Sequence, residues 1–223
     1  YFAIAYSNLG NILKDLGKLK EAEKYQIKAI EINPKLAIAF FNLGNTLKDL
    51  GKLKEAEKYL LKAIEIDPYF AIAYSNLGNI LKDLGKLREA EKYLRKAIEI
   101  NQNLARAFYS LSTLRNTADN FPSYEYLFSQ DILNKKTDEE KIDIFFARAN
   151  IMHSKQKYLT SSQFLKKANN LKLKLKPFNP EYLINKSKNL LIQSNQQVIN
   201  SDKFENNYEN IFIIGMPRSG TTL

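Results

Sequence analysis

The residues best suited to chemistry lie in the last stretch of the sequence. Four apolar residues, Ile211–Ile214, lead into "GMPRSGTT", Gly215 to Thr222. An apolar strand entering a glycine-bounded turn aims successive backbone N–H groups at one spot, where an anion can sit. Gly215 and Gly220 permit the tight backbone this needs. Ser219, Thr221 and Thr222 add hydroxyl donors, and Arg218 can give a charge-assisted bond to a phosphate or sulfate oxygen. Pro217, Arg218, Ser219, Gly220, Thr221 and Thr222 therefore form a candidate anion-binding set.

The spacing superficially fits the nucleotide-binding pattern G-x-x-x-x-G-K-[ST], but Thr221 stands where the lysine belongs. That lysine reaches the β- and γ-phosphates of a triphosphate, so its loss argues against an ATPase or GTPase. The run Pro-Arg-Ser-Gly-Thr-Thr after an apolar strand resembles the 5′-phosphosulfate loop of sulfotransferases. The resemblance implies a co-substrate, 3′-phosphoadenosine 5′-phosphosulfate (PAPS), and no metal. It also implies a mechanism: a general base deprotonates an acceptor hydroxyl, which attacks sulfur in line while the loop stabilises the leaving phosphate. In that family the base and the 3′-phosphate contacts lie beyond this loop. No catalytic residue is therefore assigned within residues 1–223, and this stretch by itself is expected to be inert and to bind PAPS weakly at best.

A second set of polar residues recurs in the first half. The stretch "YSNLGNILKDLGKLKEAEKY" from Tyr6 returns almost unchanged from Phe40 and Tyr74, and Leu9, Leu43 and Leu77 mark a period of 34 residues. That period is the signature of a helix-turn-helix repeat. Gly10, Gly44 and Gly78 are small where two helices approach, with Ala22, Ala56 and Ala90 as their counterparts on the second helix. Ala29, Ala63 and Ala97 admit the next unit, and Tyr6, Phe40 and Tyr74 are placed to plug the core. Gly17, Gly51 and Gly85 suit left-handed helix ends, and Pro34 and Pro68 separate units. These features resemble the tetratricopeptide (TPR) family, which implies an all-α solenoid, a right-handed superhelix of hairpins.

The organisation expected is three regular repeats over 1–101, degenerate repeat-like helices over 102–176, a helical linker over 177–209, and the start of a sulfotransferase domain over 210–223. Within the degenerate part, Thr137–Glu140 reads as a capping box. The segment "FFARANIMHSKQKYLTSSQFLKKA" aligns on the second repeat, with Ala149 at the Gly44 slot, Ser161 at Ala56, Phe164 at Tyr59 and Ala168 at Ala63. Asn179-Pro180 reads as the start of one more helix, to about Val198. This order of repeats, linker and loop resembles the bacterial TPR-linked sulfotransferases and, in the loop itself, the tyrosylprotein sulfotransferases. The expectation is of a truncated parent enzyme whose solenoid captures the acceptor, with an adaptor devoted only to protein assembly as the alternative.

In such a solenoid the first helices line a concave groove. Asn8, Asn42 and Asn76 recur there, with Asn11, Asn45 and Asn79 three residues on and Lys14, Lys48 and Lys82 a further step along the same face. Asn is a mediocre helix former, and its carboxamide both donates and accepts. Rows of such groups can clamp an extended peptide backbone, a pattern resembling the asparagine ladder of the TPR glycosyltransferase that modifies Ser and Thr. A protein or peptide partner is thus expected.

Composition narrows the remaining classes. Cysteine is absent and His153 is the single histidine, which leaves out disulfides, thiol catalysis and Cys-ligated zinc. The formal charge is +10. Residues 148–188 hold ten Lys or Arg against Glu181 alone, a field that can steer an anionic partner. No nucleic-acid-binding motif accompanies that charge, and no apolar run suits a membrane span or a secretion signal. Neither nucleic acid nor membrane is expected as a partner, and a bacterial cytoplasmic setting is.

Overall fold

The computed structural model describes residues 1–114 and 120–177, with isolated positions 181, 184, 185 and 187–189 beyond them. The chain divides into two units, Tyr1–Pro177 and Phe178–Leu223. Only scattered positions of the expected linker are described, and the expected strand over 211–214 and loop over 215–222 lie outside the described residues. The described residues carry helices and no strand.

The regular half is three hairpins: α1 (Phe2–Asp15) with α2 (Leu19–Ile32), α3 (Ala37–Asp49) with α4 (Leu53–Ile66), and α5 (Ala71–Asp83) with α6 (Leu87–Ile100). Each forms because its apolar and small residues fall on one helical face. In α3 these are Ala39, Phe40, Leu43 and Leu47, all buried. Gly44 is needed for close approach, since a Cβ there would sit 2.8 Å from Leu60 Cγ on α4. The first helix ends at Gly51, whose φ of +76° suits a residue without a Cβ. Gly51 N–H donates to Lys48 O at 2.9 Å and Lys52 N–H to Leu47 O at 2.9 Å, the paired bonds of a Schellman cap. Between hairpins, the Asp67 carboxylate accepts from Tyr69 N–H at 3.0 Å, an Asx turn repeated at Asn33 and Asn101.

The fourth hairpin is interrupted. α7 (Ala105–Ser112) has only eight residues, and a short α8 (Tyr124–Phe128) and a 3-10 turn at Asp131–Leu133 follow it. α9 (Asp138–Ser154) then pairs with α10 (Tyr158–Leu175). The Thr137 hydroxyl accepts from Glu140 N–H while the Glu140 carboxylate accepts from Thr137 N–H, which completes the capping box. The turn after α9 repeats the Schellman bonds with Gln156 in the glycine slot at φ +58°. One aromatic pair recurs in register at Tyr6–Tyr25, Phe40–Tyr59, Tyr74–Tyr93 and Phe145–Phe164, with ring centroids 6.0–6.3 Å apart; in the fourth unit Leu127 fills the second slot and Phe108 meets Phe121 instead, at 6.1 Å.

Each hairpin packs its second helix against the next first helix, and the first helices α1, α3, α5, α7 and α9 also touch one another in sequence. The second helices make no comparable contact with each other. The wall made by the first helices is therefore the shorter one, and it faces the concave side. Across the outer wall, Lys52 pairs with Glu23 at 2.9 Å and Lys86 with Glu57 at 2.7 Å. These pairs are partly exposed and add little stability.

Candidate functional site

The first-helix residues named from sequence separate into two rows with different fates. Asn42 and Asn76 lie between neighbouring first helices. Asn42 is buried and donates from Nδ2 to Ser7 Oγ at 2.9 Å. In the next unit Phe41 stands where Ser7 was, so Asn76 donates instead to Asn45 Oδ1 at 2.7 Å. In the fourth unit Ser110 replaces the asparagine, and the buried Ser75 hydroxyl has no hydrogen-bond partner among the described residues. This row ties repeat to repeat. Asn8, whose own hairpin is the first described, is exposed.

Asn11, Asn45 and Asn79 are half-buried and open onto the concave side. Asn11 Oδ1 takes a weak 3.5 Å contact from Gln26, a buried amide in the slot that Leu60 and Leu94 fill in later repeats. Asn45 accepts from Asn76, which leaves its own two amide protons available. Asn79 makes no side-chain bond among the described residues. Of the lysines, Lys14 lies 3.4 Å from Asp15 and Lys82 reaches Thr113 Oγ1 at 3.4 Å, both loosely held. Lys48 is exposed and unpaired among the described residues. The strip thus offers carboxamides that donate and accept beside lysine cations, which matches the main chain of an extended peptide with anionic side chains. His153 is exposed and meets the Tyr158 ring edge-on at 5.3 Å.

Two features were not read from the sequence. Arg148 is 3% exposed, on α9 in the slot that Leu43 fills in α3. Its Nε donates to Leu127 O at 2.7 Å and its Nη2 to Ser129 O at 2.6 Å, which staples the irregular α8 segment to α9. The guanidinium lies between 5.6 and 5.8 Å from the Phe128, Phe145 and Phe164 rings. Burial holds its pKa below the usual arginine value. A charge aligned on a leucine slot was the available signal. The second feature is a cleft between α7, α9 and the end of α10. No cluster of metal-ligating side chains occurs among the described residues, and no described helix is long and apolar enough to cross a membrane.

Together the fold and this strip define a helical-hairpin solenoid with a polar concave face. Residues 1–68 and 71–104 match models of the tetratricopeptide repeat, so this stretch of the chain is built of tetratricopeptide repeats. Among solved structures it is similar to YrrB, described as a TPR protein with an unusual peptide-binding site, at 25% identity and a TM-score of 0.54 over 76% of this chain and 86% of that one. It is also similar to the first TPR of Spaghetti (RPAP3) bound to an HSP90 peptide, at 26% identity and a TM-score of 0.48 over 49% of this chain and 87% of that one. A third similarity is to MamA, at 18% identity and a TM-score of 0.48 over 79% and 81%. No curated protein sequence matches the chain.

Proposed function

We propose that the concave face captures an extended peptide segment of a partner protein. Asn11, Asn45 and Asn79 hold its main chain, and Lys14, Lys48 and Lys82 meet its anionic side chains. The observation that carries this is that Asn42 and Asn76 donate amide protons between repeats, whereas Asn11, Asn45 and Asn79 donate none to any described residue. Asn42 and Asn76 then serve the groove by setting the pitch of the first helices, while the exposed Asn8 stays open to the peptide. The test is an overlay of the protein on an array of random immobilised peptides. A variant with Asn11, Asn45 and Asn79 all changed to Ala should keep its helical circular dichroism and lose most spots. Unchanged spots would refute the reading.

The sequence of residues 211–222 favours a further reading, in which capture serves sulfate transfer. "IFIIGMPRSGTT" supplies an apolar lead, two glycines, three hydroxyls and one arginine in the order a phosphosulfate loop uses. On this reading Pro217 to Thr222 hold the 5′-phosphosulfate of PAPS and the solenoid presents an acceptor hydroxyl, in a cytoplasmic enzyme. A scaffold with no transfer activity accounts for the groove equally well. Calorimetry of the full-length protein with 3′,5′-adenosine bisphosphate separates them. Binding that an Arg218→Ala variant loses supports transfer, and no binding leaves the scaffold.

A further inference from the structure

The degenerate end of the solenoid does not simply lose the groove. α10 runs about one turn beyond the regular second helices: by alignment with α4 it should end at position 171, but it continues to Leu175. The extra turn carries Lys172 and Leu175, with Lys176 as its cap, over the first-helix wall. Between this turn and α7 and α9 lies a cleft of about 420 Å³. Tyr109 and Phe146 form its aromatic side, with ring centroids 5.9 Å apart, and Ile142 and Leu175 its aliphatic side. These residues follow the repeat. Tyr109 and Phe146 stand where Ser7, Phe41 and Ser75 stand in the regular units, on the same helical face as Asn11, Asn45 and Asn79 four residues later. The cleft is therefore the continuation of the groove, changed from carboxamide-lined to aromatic-lined.

Its rim is charged. Arg106 and Asp143 face each other at 3.3 Å, and the Arg106 guanidinium also lies 5.6 Å from the Tyr109 ring. Asp143 is thereby engaged, and burial pushes its pKa up while Arg106 opposes the shift. Glu139 is the other acid of the lining. Against these stand Lys172 and Lys176, which pair with no acid among the described residues. α10 itself carries Lys166, Lys167, Lys172 and Lys174 and no acidic residue. A single bulky ring fits the cleft, as an anchor residue does at the centre of a peptide interface, and the surrounding field asks for acids beside it.

We infer that this cleft is the anchor subsite of the groove and takes an aromatic side chain flanked by acidic residues in the bound peptide. The inference rests on the groove reading above, since the main chain on either side of the anchor must run along the first helices. The probe is a fluorescein-labelled Gly-Ser peptide with a central Glu-Asp-Phe-Glu-Asp segment, followed by fluorescence anisotropy. Two controls replace the Phe by Ala, or the four acids by lysines. Both controls should bind at least roughly tenfold more weakly. The exposed double variant Lys172→Glu/Lys176→Glu, which touches no core residue, should raise the probe's Kd by a similar factor, and Tyr109→Ala should remove the preference for Phe over Ala. Equal binding of probe and controls, or a double variant with unchanged Kd, would overturn the inference. Loss in the triple asparagine variant alone would do so too, while leaving the groove reading intact. Loss in the lysine variant with the asparagine variant unaffected would leave the subsite standing and sink the groove.

Discussion

Residues 1–101 and residues 102–177 build the same kind of hairpin from different materials. In the regular half most slots keep one residue type from unit to unit, and glycine does the demanding work at Gly44 and Gly51. In the irregular half the same places are held by substitutes. Ala149 and Ser161 meet through a hydrogen bond from Ser161 Oγ to Ala149 O at 2.8 Å, in the place where Gly44 meets Ala56. Gln156 takes the left-handed turn, and Arg148 occupies a leucine slot. A ring contact is kept in every unit, though in the fourth it is made by Phe121 from outside the register. In the hairpin of α9 and α10 these substitutes keep the helix pair and its ring contact.

The contrast can be broken at four points. The largest effect is expected at Arg148→Met, which keeps volume but orphans Leu127 O and Ser129 O. It should destabilise by about 3 kcal/mol, seen as a lower urea midpoint and early loss of hydrogen-exchange protection over α8. If the regular and irregular halves were held alike, by apolar packing alone, this variant would be neutral or stabilising. In the regular half, Gly44→Ala forces a Cβ against Leu60 and should cost about 2 kcal/mol in the same titration. Gln156→Gly restores the glycine of the regular turns and should stabilise by about 1 kcal/mol. A loss of stability there would mean that the Gln156 side chain carries contacts that matter.

The smallest effect concerns acid stability. The hydrogen bond from Lys136, helped by those from the Thr137 cap, holds the Glu140 pKa below the ordinary glutamate value, despite some burial. A depressed carboxylate stabilises the fold above its unfolded pKa, about 4.3, and that contribution fades as pH falls through the folded value. Glu140→Gln should therefore be a few tenths of a kcal/mol less stable at neutral pH, with the gap to wild type closing below about pH 4. Asp143 slopes the opposite way, because burial raises its pKa, so the difference between the two proteins is the informative quantity. A gap that persisted at low pH would show that the cap, not the charge, holds this turn.

Much of the solenoid was legible because a 34-residue period repeats its own evidence. Gly10, Gly44 and Gly78 each announce a close approach, and the Leu-Gly-Lys turns announce their caps. The capping box at Thr137 was readable for a local reason, since both partners lie within four residues. The division of the asparagines was not readable. Whether Asn42 faces a ligand or Ser7 depends on the angle between neighbouring helices, and sequence spacing within one helix says nothing about that angle. The anchor cleft was hidden for a similar reason: it is closed by Lys172 and Leu175, some thirty residues from Phe146 and Ile142, on an α10 that outruns its repeat.

The central claim is that the groove side of the first helices, and not the outer wall, holds the peptide. The direct measurement is a proton–nitrogen correlation spectrum of the side-chain carboxamides, recorded with and without the best peptide from the array. Asn45 and Asn79 should shift strongly, Asn42 should stay in place because Ser7 holds it, and Asn169 and Asn170 on the second helix α10 should be silent. Shifts confined to Asn169 and Asn170, with Asn45 and Asn79 unmoved, would contradict the account.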